Sequence, residues 1–511
     1  MLSKKLLQFV LAVLILPAFA LAQNTTSSLS GSVKTNTGEV LVGATVTATH
    51  EPTGTTYRVQ SRAGGRFDIS NMNPGGPYIV EVSFLNYANE KKTELYLSLG
   101  DVLKVDFALA SKVNNLGNVT VSSLRKTTET SGKGGAETTI GRDKMANLPT
   151  VGRNIYDYLR AVPQAKLVNG SEGAVSIAGQ NNRYNAFYVD GAINNDVFGL
   201  SASGTNGGQA AIAPLSIDAI DQFQVVISPF DASLGNFTGG GINATTKGGT
   251  NILSGTVYNF TQNQDLTGKT PTGLKSAATK LNPFSAITSG ASVGGAIIKN
   301  KLFFFVNFES IESNRPQPFD IAGYRGVSKK ADIDALVTTV KSKYGYDMGG
   351  YADNAETVSS KRLATKLDWN INANHRLSVS YRHTESQNYN TSASSSTRVN
   401  FYNNGVLYPN KTNSLSAELR STFKNGISNK MLFTVTDVTD DRSQIGAAFP
   451  RVIIYDGSSS NQIIFGSENF SAANLLKQNN KNSKLYFFEN DHLNILKNEK
   501  VTKKISEIIN S

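Results

Sequence analysis

Cysteine is absent from the 511 residues. That excludes a disulfide framework, a thiolate metal site, a thiol nucleophile and a lipid anchor on an N-terminal cysteine. Histidine is scarce: His50, His375, His383 and His492 are the whole set, far apart and without metal-ligand spacing. The pair His375 and His383 flanks one strand-like run and is expected to face a lumen or the periplasm. Charged residues amount to only 17%, below the ~25% of ordinary soluble domains. After the first 22 residues no run approaches the ~18 consecutive apolar residues of a spanning helix, so any passage through a membrane falls to a closed set of strands. No serine stands in a nucleophile elbow, and Gly239-Gly240-Gly241 is not followed by Lys-Ser/Thr opening a helix. No catalysis, cofactor or metal site is expected. The net charge is +11, but Lys and Arg are scattered except in the last fifteen residues, so nucleic-acid binding is not expected either.

What is present is glycine (45), tyrosine (19) and a 39% hydrophobic share, a folding composition whose length suggests about three domains. Met1 to Ala22 reads as a cleaved secretory leader, with Lys4-Lys5, an apolar core from Leu6 to Leu16, and Ala20-Leu21-Ala22 before Gln23. Residues 27–110 then give seven short strand-like runs separated by turns such as Thr37-Gly38, Pro52-Thr53-Gly54 and Pro74-Gly75-Gly76-Pro77, the pattern of a β-sandwich. Residues 111–146 are rich in Ser, Thr, Gly and Lys and read as a linker. Within it, Leu116 to Ser123 alternates, so it is either a segment able to add to a sheet edge, a last strand of the sandwich, or inert linker.

Residues 147–251 read as a small α+β unit. Asn147-Leu148-Pro149 opens a helix that buries Ile155, Tyr158 and Leu159; strands follow at Ala174–Ala178, Ala186–Val189 and Phe223–Ile227, with a short helix at 217–221 between the last two. The stretch from Val175 to Gly199 holds strand, polar turn, strand and the hairpin signal Asp190-Gly191.

From residue 252 to 496 the character changes to long two-faced strands. Leu363, Thr365, Leu367, Trp369 and Ile371 alternate with Arg362, Lys366, Asp368 and Asn370; Leu377, Val379 and Tyr381 alternate with Arg376, Ser378, Ser380 and Arg382. A strand with lipid on one side and a polar lumen on the other requires this. About eight such strands are expected, at 254–266, 285–297, 301–312, 360–371, 374–388, 411–424, 428–442 and 482–494. Their connections alternate strictly between very short (298–300, 372–373, 425–427) and long and polar (267–284, 313–359, 389–410, 443–481), as in outer-membrane barrels with short periplasmic turns and long outer loops. A soluble sandwich or propeller gives no such asymmetry. Tyr351, Tyr402 and Tyr408 in the long loops are candidates for stacking on a ligand, with ordinary loop tyrosines the alternative. A plugged lumen belongs to barrels of ~22 strands, which needs roughly 400 further residues at this spacing, so the chain is expected to be truncated within the barrel. The alternative is a small barrel with a soluble appendage. Residues 497–511 form an atypical, non-alternating tail.

Two resemblances follow. The run GSV…GEVLVGATVTA…GRFDI…PYIVEVSF resembles the carboxypeptidase-regulatory-like, prealbumin-type domain, which implies a non-catalytic seven-stranded sandwich. Leu148-Pro149-Thr150-Val151-Gly152-Arg153-Asn154, Ser176–Gln180, Arg183–Gly191 and Asn195–Leu200, in that order, resemble the TonB-dependent outer-membrane receptors of the SusC and Oar-like kind, nearest to Oar-like members. The implied fold is mainly β: a prealbumin-like sandwich, a small α+β plug, and the first part of a transmembrane antiparallel β-barrel. The implied TonB box is Leu116, Asn118, Val119, Thr120 and Val121, and the plug motif comprises Arg153, Gly179, Gln180, Arg183, Tyr188, Asp190, Gly191, Asp196 and Phe198. The implied partners are TonB with its inner-membrane energising complex, outer-membrane lipid, an extracellular ligand the sequence does not name, and a surface lipoprotein, the last expected more of SusC-like than of Oar-like members. The implied function is energy-coupled import through plug rearrangement; the competing reading is an adhesion or structural protein using the same barrel without transport.

Overall fold

The computed structural model describes residues 25–112, 120–123, 136–148, 150, 152–168, 174–196, 199–227, 235, 237–269, 279–423, 427–447, 449, 451–455, 462–465 and 484–486. The expected leader, Leu116, Asn118, Val119, Phe198 and the tail 497–511 lie outside the described residues.

The N-terminal part is a sandwich of two sheets. One contains β1 (Ser27–Thr35), β4 (Arg66–Met72), β7 (Val102–Lys104) and β8 (Phe107–Leu109); the other runs β3 (Thr55–Gln60), β2 (Thr45–His50), β5 (Gly75–Ser83), β6 (Glu90–Leu97) and β9 (Thr120–Ser123). Alternation places Val46, Ala48 and His50 of β2 directly opposite Val82, Val80 and Tyr78 of β5, all buried. The seventh expected strand is split into β7 and β8, both parallel to β1. The chain crosses β1 at the break so closely that a Cβ on Gly31 would lie 1.9 Å from the Val105 carbonyl oxygen. Only glycine fits there.

The middle unit is built on a five-stranded sheet in the order β10 (Glu137–Gly141), β15 (Ile220–Val226), β16 (Gly241–Thr246), β13 (Ala186–Val189) and β14 (Ala192–Ile193), with β11 (Ala165–Leu167) and β12 (Val175–Ile177) paired beside it. Helices α1 (Arg142–Asn147) and α2 (Ile155–Leu159) pack on it. Two sequence expectations are corrected. Residues 137–146, read as the end of the linker, are β10 and α1; their single strongly apolar strand residue, Ile140, left no period to detect. The second helix opens at Asn154, whose side chain accepts from the Asp157 N–H at 3.1 Å, rather than at Asn147. Strands β13 and β16 are buried along their whole length, because both faces of the sheet are covered.

The remaining long strands form one antiparallel sheet: β17 (Ser254–Asn263), β18 (Ser285–Ile298), β19 (Leu302–Arg315), β20 (Glu356–Asn370), β21 (His375–Asn390), β23 (Val406–Thr422) and β24 (Ser428–Thr439). Outward positions carry Leu367, Trp369, Leu415, Met431, Phe433 and Val435, all exposed; inward positions carry buried Asn307, Glu309, Arg362, Arg382, Ser414 and Glu418. Among the described residues the sheet is open, with one edge at β17 and the other at β24. The eighth expected strand is corrected: of 482–494 only β28 (Lys484–Tyr486) is described, and it pairs with β27 (Gln462–Phe465) outside the barrel sheet.

The long loops are not simply polar. They carry α3 (Lys330–Tyr344), β22 (Val399–Asn400), β25 (Ser443–Gln444) and β26 (Val452–Tyr455). Ile333, Leu336 and Val340 of α3 pack with Tyr346, Met348, Val399, Phe401, Val452 and Ile454 in an apolar core of their own.

Candidate functional site: the seat of the plug in the barrel

The middle unit sits against the inner face of the barrel sheet, and its apolar core runs directly into Phe305 of β19 and Ala364 of β20. Around that contact, polar side chains form three seats.

The first is the turn Asp190-Gly191. Val189 pairs with Ala192, and both loop residues have positive φ (47° and 78°), the backbone of a type I′ hairpin. Asp190 Oδ1 accepts from the Thr246 N–H at 2.9 Å and Oδ2 from the Thr246 hydroxyl at 2.6 Å. Lys366 Nζ of β20 lies 3.5 Å from Oδ1 and donates to the Thr246 carbonyl at 3.1 Å. Ser416 of β23 donates its hydroxyl to the Asp190 carbonyl at 2.8 Å. Burial opposes ionisation of Asp190, but the Lys366 ammonium and the Thr246 hydrogen bonds outweigh it and hold the carboxyl below its ordinary range. Gly191 is favoured by its φ of 78°, and a Cβ there would also press on the Leu432 Cδ2 methyl of β24 at 2.6 Å and make that side chain move.

The second seat is Glu309 of β19, paired with Arg362 of β20. Glu309 Oε2 accepts from Ser216 Oγ and from the Tyr258 hydroxyl, each at 2.8 Å, and Arg362 Nη1 donates to the Ala213 carbonyl at 2.9 Å. The third is Arg153. It pairs with Asp218 Oδ2 at 2.5 Å, and its guanidinium stands 3.6 Å from the ring centroid of Phe260 on β17.

The three seats join the middle unit to β17, β19, β20 and β23 by charge and hydrogen bond, around a modest apolar contact. Such contacts can be exchanged for water more readily than a continuous apolar core.

With this geometry in view, three family models match. Carboxypeptidase regulatory-like domain covers residues 28–110, TonB-dependent Receptor Plug Domain covers 131–242, and Outer membrane beta barrel domain covers 245–321. The chain carries the domain set of a TonB-dependent outer-membrane receptor. The receptor is an outer-membrane protein of a Gram-negative bacterium, and not an enzyme. A curated relative, the TonB-dependent transporter Oar of Myxococcus xanthus, is 32% identical over 152 residues, 28% of this chain and 13% of that protein. Among solved structures, the outer membrane transporter YddB of Escherichia coli is similar over 63% of this chain and 40% of that one, at 14% identity and a TM-score of 0.42. The ferric enterobactin receptor PfeA of Pseudomonas aeruginosa is similar over 60% and 41%, at 15% identity and a TM-score of 0.40. The receptor chain thus spans well under half the length of each of these relatives.

Of the motif residues expected from sequence, Arg153, Asp190 and Gly191 of the receptor meet the barrel wall. Tyr188 is buried inside the plug, its hydroxyl donating to the Gly235 carbonyl at 2.8 Å. Gly179 (φ 77°) and Gln180 form the turn after β12, and Gln180 and Arg183 are exposed. Asp196 accepts from the Ser201 N–H at 2.5 Å in a local loop. Sequence reasoning placed Arg362 and Lys366 on the polar side of one strand without assigning them a role, and passed over Ser216, Thr246, Glu309 and Ser416. The alternation of charges on one side of β20 was the available signal.

Two further expectations change. His375 and His383 stand on the outward face of β21, in the same register parity as Leu377, Val379 and Tyr381: His375 meets Ser421 and Phe423, and His383 meets Asn413. They do not face the lumen, because Arg376 and Arg382 do. Among the loop tyrosines, Tyr351 donates to Asp334 Oδ1 at 2.8 Å and packs edge-on to Phe401, so it belongs to the outer loop core. Tyr408 faces the Arg442 guanidinium at 5.1 Å.

Proposed function

We propose that the receptor imports an extracellular ligand in an energy-coupled cycle. The ligand binds the folded outer loops and the apex of the plug. TonB captures Leu116–Ser123 by adding a strand to it, and its pull exchanges the plug's seats for water so that the ligand passes inward. The observation that carries this reading is the set of seats at Asp190, Glu309 and Arg153, because a plug meant to stay would be expected to bury apolar surface against the wall instead. The apex is tied in the same manner: Arg442 donates to Gln209 Oε1 at 2.9 Å and Asn388 to the Gln209 carbonyl at 3.3 Å, so an event at the outer loops has a polar path to the plug.

The test has two arms. Residues 112–146 are expected to retain a TonB C-terminal domain in a pulldown, and binding of that domain is expected to fall when Val119 and Val121 are replaced by proline, which cannot donate to a ladder. No retention at high concentration would sink the coupling. The adhesion reading draws on one observation, the apolar core shared by the outer loops, which makes a firm surface platform. It expects no retention of TonB and cell-surface binding unaffected by a protonophore.

A further inference from the structure

The N-terminal sandwich is seated on the turn end of the barrel sheet. Charged groups of the barrel's inner face find their partners on it. Arg376, at the start of β21, donates through Nη2 to the Thr56 carbonyl at 2.7 Å, and its guanidinium lies 4.0 Å from the Tyr57 ring centroid. Arg420, near the end of β23, donates to Asn73 Oδ1 at 2.5 Å, and its neighbour Glu418 accepts from the Thr25 hydroxyl. Asn370 Nδ2 meets Thr55 Oγ1 at 2.9 Å, Ser70 Oγ meets Ser428 Oγ at 3.0 Å, and the plug's Gln222 accepts from the Leu99 N–H at 3.0 Å. Arg376 is 7% exposed and Glu418 4%. Charges so far from water need partners, and part of that partnership is the sandwich.

Between sandwich, plug and barrel wall lies a half-open cleft of about 1000 Å³ whose lining carries both signs of charge, among them Asp190, Asp221, Glu418, Arg142, Lys366 and Arg420. The last strand at one edge of the sandwich is β9, Thr120–Ser123, lying parallel to β6 in the register Glu90↔Thr120 to Thr93↔Ser123. The segment that resembles a TonB box therefore belongs in part to the sandwich.

From this arrangement we infer that the sandwich is a second, periplasmic gate. Seated, it closes the mouth below the plug, and the chamber behind it holds a polar ligand between its passage of the plug and its release. The inference rests on the import reading for its timing: a strand added to the outer edge of β9 pulls on the sandwich itself, so one pull unseats the gate and then reaches the plug. Closure of the mouth, in contrast, is a property of the resting protein.

The absence of cysteine makes the test clean, because introduced thiols report alone. Ser70→Cys with Ser428→Cys places two sulfurs across the seat where two hydroxyl oxygens are 3.0 Å apart. In the whole protein, mild oxidation of protonophore-treated cells is expected to cross-link most of the population, read as a mobility shift reversed by dithiothreitol. Energised cells are expected to give a several-fold lower yield. No cross-link in treated cells overturns the seat. Equal yields, in a protein whose residues 112–146 do retain TonB, overturn the gate and leave the import reading standing. Closure is tested without TonB by the reaction of Ser378→Cys, in the chamber lining, with a polyethylene-glycol maleimide in outer-membrane fragments. Adding Arg376→Gln and Asn73→Ala, neither in an apolar core, is expected to speed the reaction about tenfold or more by raising the open population. Equal rates overturn closure, whatever becomes of the import reading.

Discussion

Asp190 stands where local backbone and long-range seat coincide. As the first residue of a two-residue turn at φ 47° it occupies a region that Asp, Asn and Gly enter most easily, and its carboxylate holds Thr246 of β16 and Lys366 of β20 at once. Asp190→Ala takes from the Lys366 ammonium one of its carboxylate neighbours, leaving Asp368, and takes from Thr246 both of its acceptors, at an expected cost of about 3 kcal/mol. Hydrogen exchange at the Thr246 amide should rise about a hundredfold or more. Asp190→Asn keeps the turn and one acceptor and should lose roughly half as much; an unchanged Thr246 amide in Asp190→Ala would contradict the seat. The charge has a pH signature. Because the folded carboxyl is held below its ordinary value, its contribution is present above about pH 4 and is lost as pH falls through the folded value. His50 behaves oppositely as an acid but fails in the same direction. It is buried against Tyr78, with Nδ1 2.7 Å from the Thr53 hydroxyl, and burial, aided by Arg142, lowers it from 6.5 to about 4. The unfolded chain then binds a proton between those values that the folded one refuses. Sandwich stability is full above pH 6.5 and falls as pH drops toward 4, by about 3 kcal/mol at 1.36 kcal/mol per unit. Exchange of the β2 and β5 amides should report the loss, and His50→Gln should flatten it.

At the scale of elements, the outer loops show how a period can be passed over. Ile333, Leu336, Val337 and Val340 stand at helical spacing, yet they lie in a connection of about forty residues between β19 and β20 whose overall composition is polar. The spacing was legible; what the sequence did not show is that the apolar stripe finds its cover in Val399, Phe401, Val452 and Ile454, from two later connections. The same holds for β10, whose membership of the plug sheet depends on pairing with β15 some eighty residues on rather than on any pattern of its own. Strands with two distinct solvents were easier: the inner and outer faces of β20, β21 and β23 follow their alternation residue by residue, because a one-residue slip would put Arg362 or Glu418 into lipid. The loop core carries a prediction. Ile333→Ala removes a side chain that is 1% exposed and should cost the outer cluster about 2–5 kcal/mol while leaving the barrel ladder intact. Trypsin applied to intact cells should then cleave after Lys341 or Lys343 much faster than in the parent protein. Unchanged cleavage would mean that the loops do not share one core.

Across the whole molecule, orientation follows from lengths alone. The strand ends Ile298/Leu302, Asn370/His375 and Thr422/Ser428, joined over only a few residues, lie at one end of the sheet, and the strand ends joined by the long connections 264–284, 316–355 and 391–405 lie at the other. The sandwich lies at the short-turn end, through Asn370 and Arg376, and the α3 cluster at the long-loop end. A barrel inserted in the usual sense exposes its long loops outside the cell. What no single strand reveals is how these bodies stack along one axis, with loop core, plug, chamber and sandwich in series, because the junctions depend on contacts between residues hundreds of positions apart, such as Ser416 with Asp190 or Arg420 with Asn73. Since the chain has no thiol of its own, single cysteines can read the axis directly. Ser342→Cys on the exposed face of α3 should react with a membrane-impermeant maleimide in intact cells, whereas Ala373→Cys, in the β20–β21 turn, should react only after the outer membrane is opened. Reaction of Ala373→Cys in intact cells would invert the axis, and with it the assignment of the sandwich to the periplasm and of the loop core to the ligand's side.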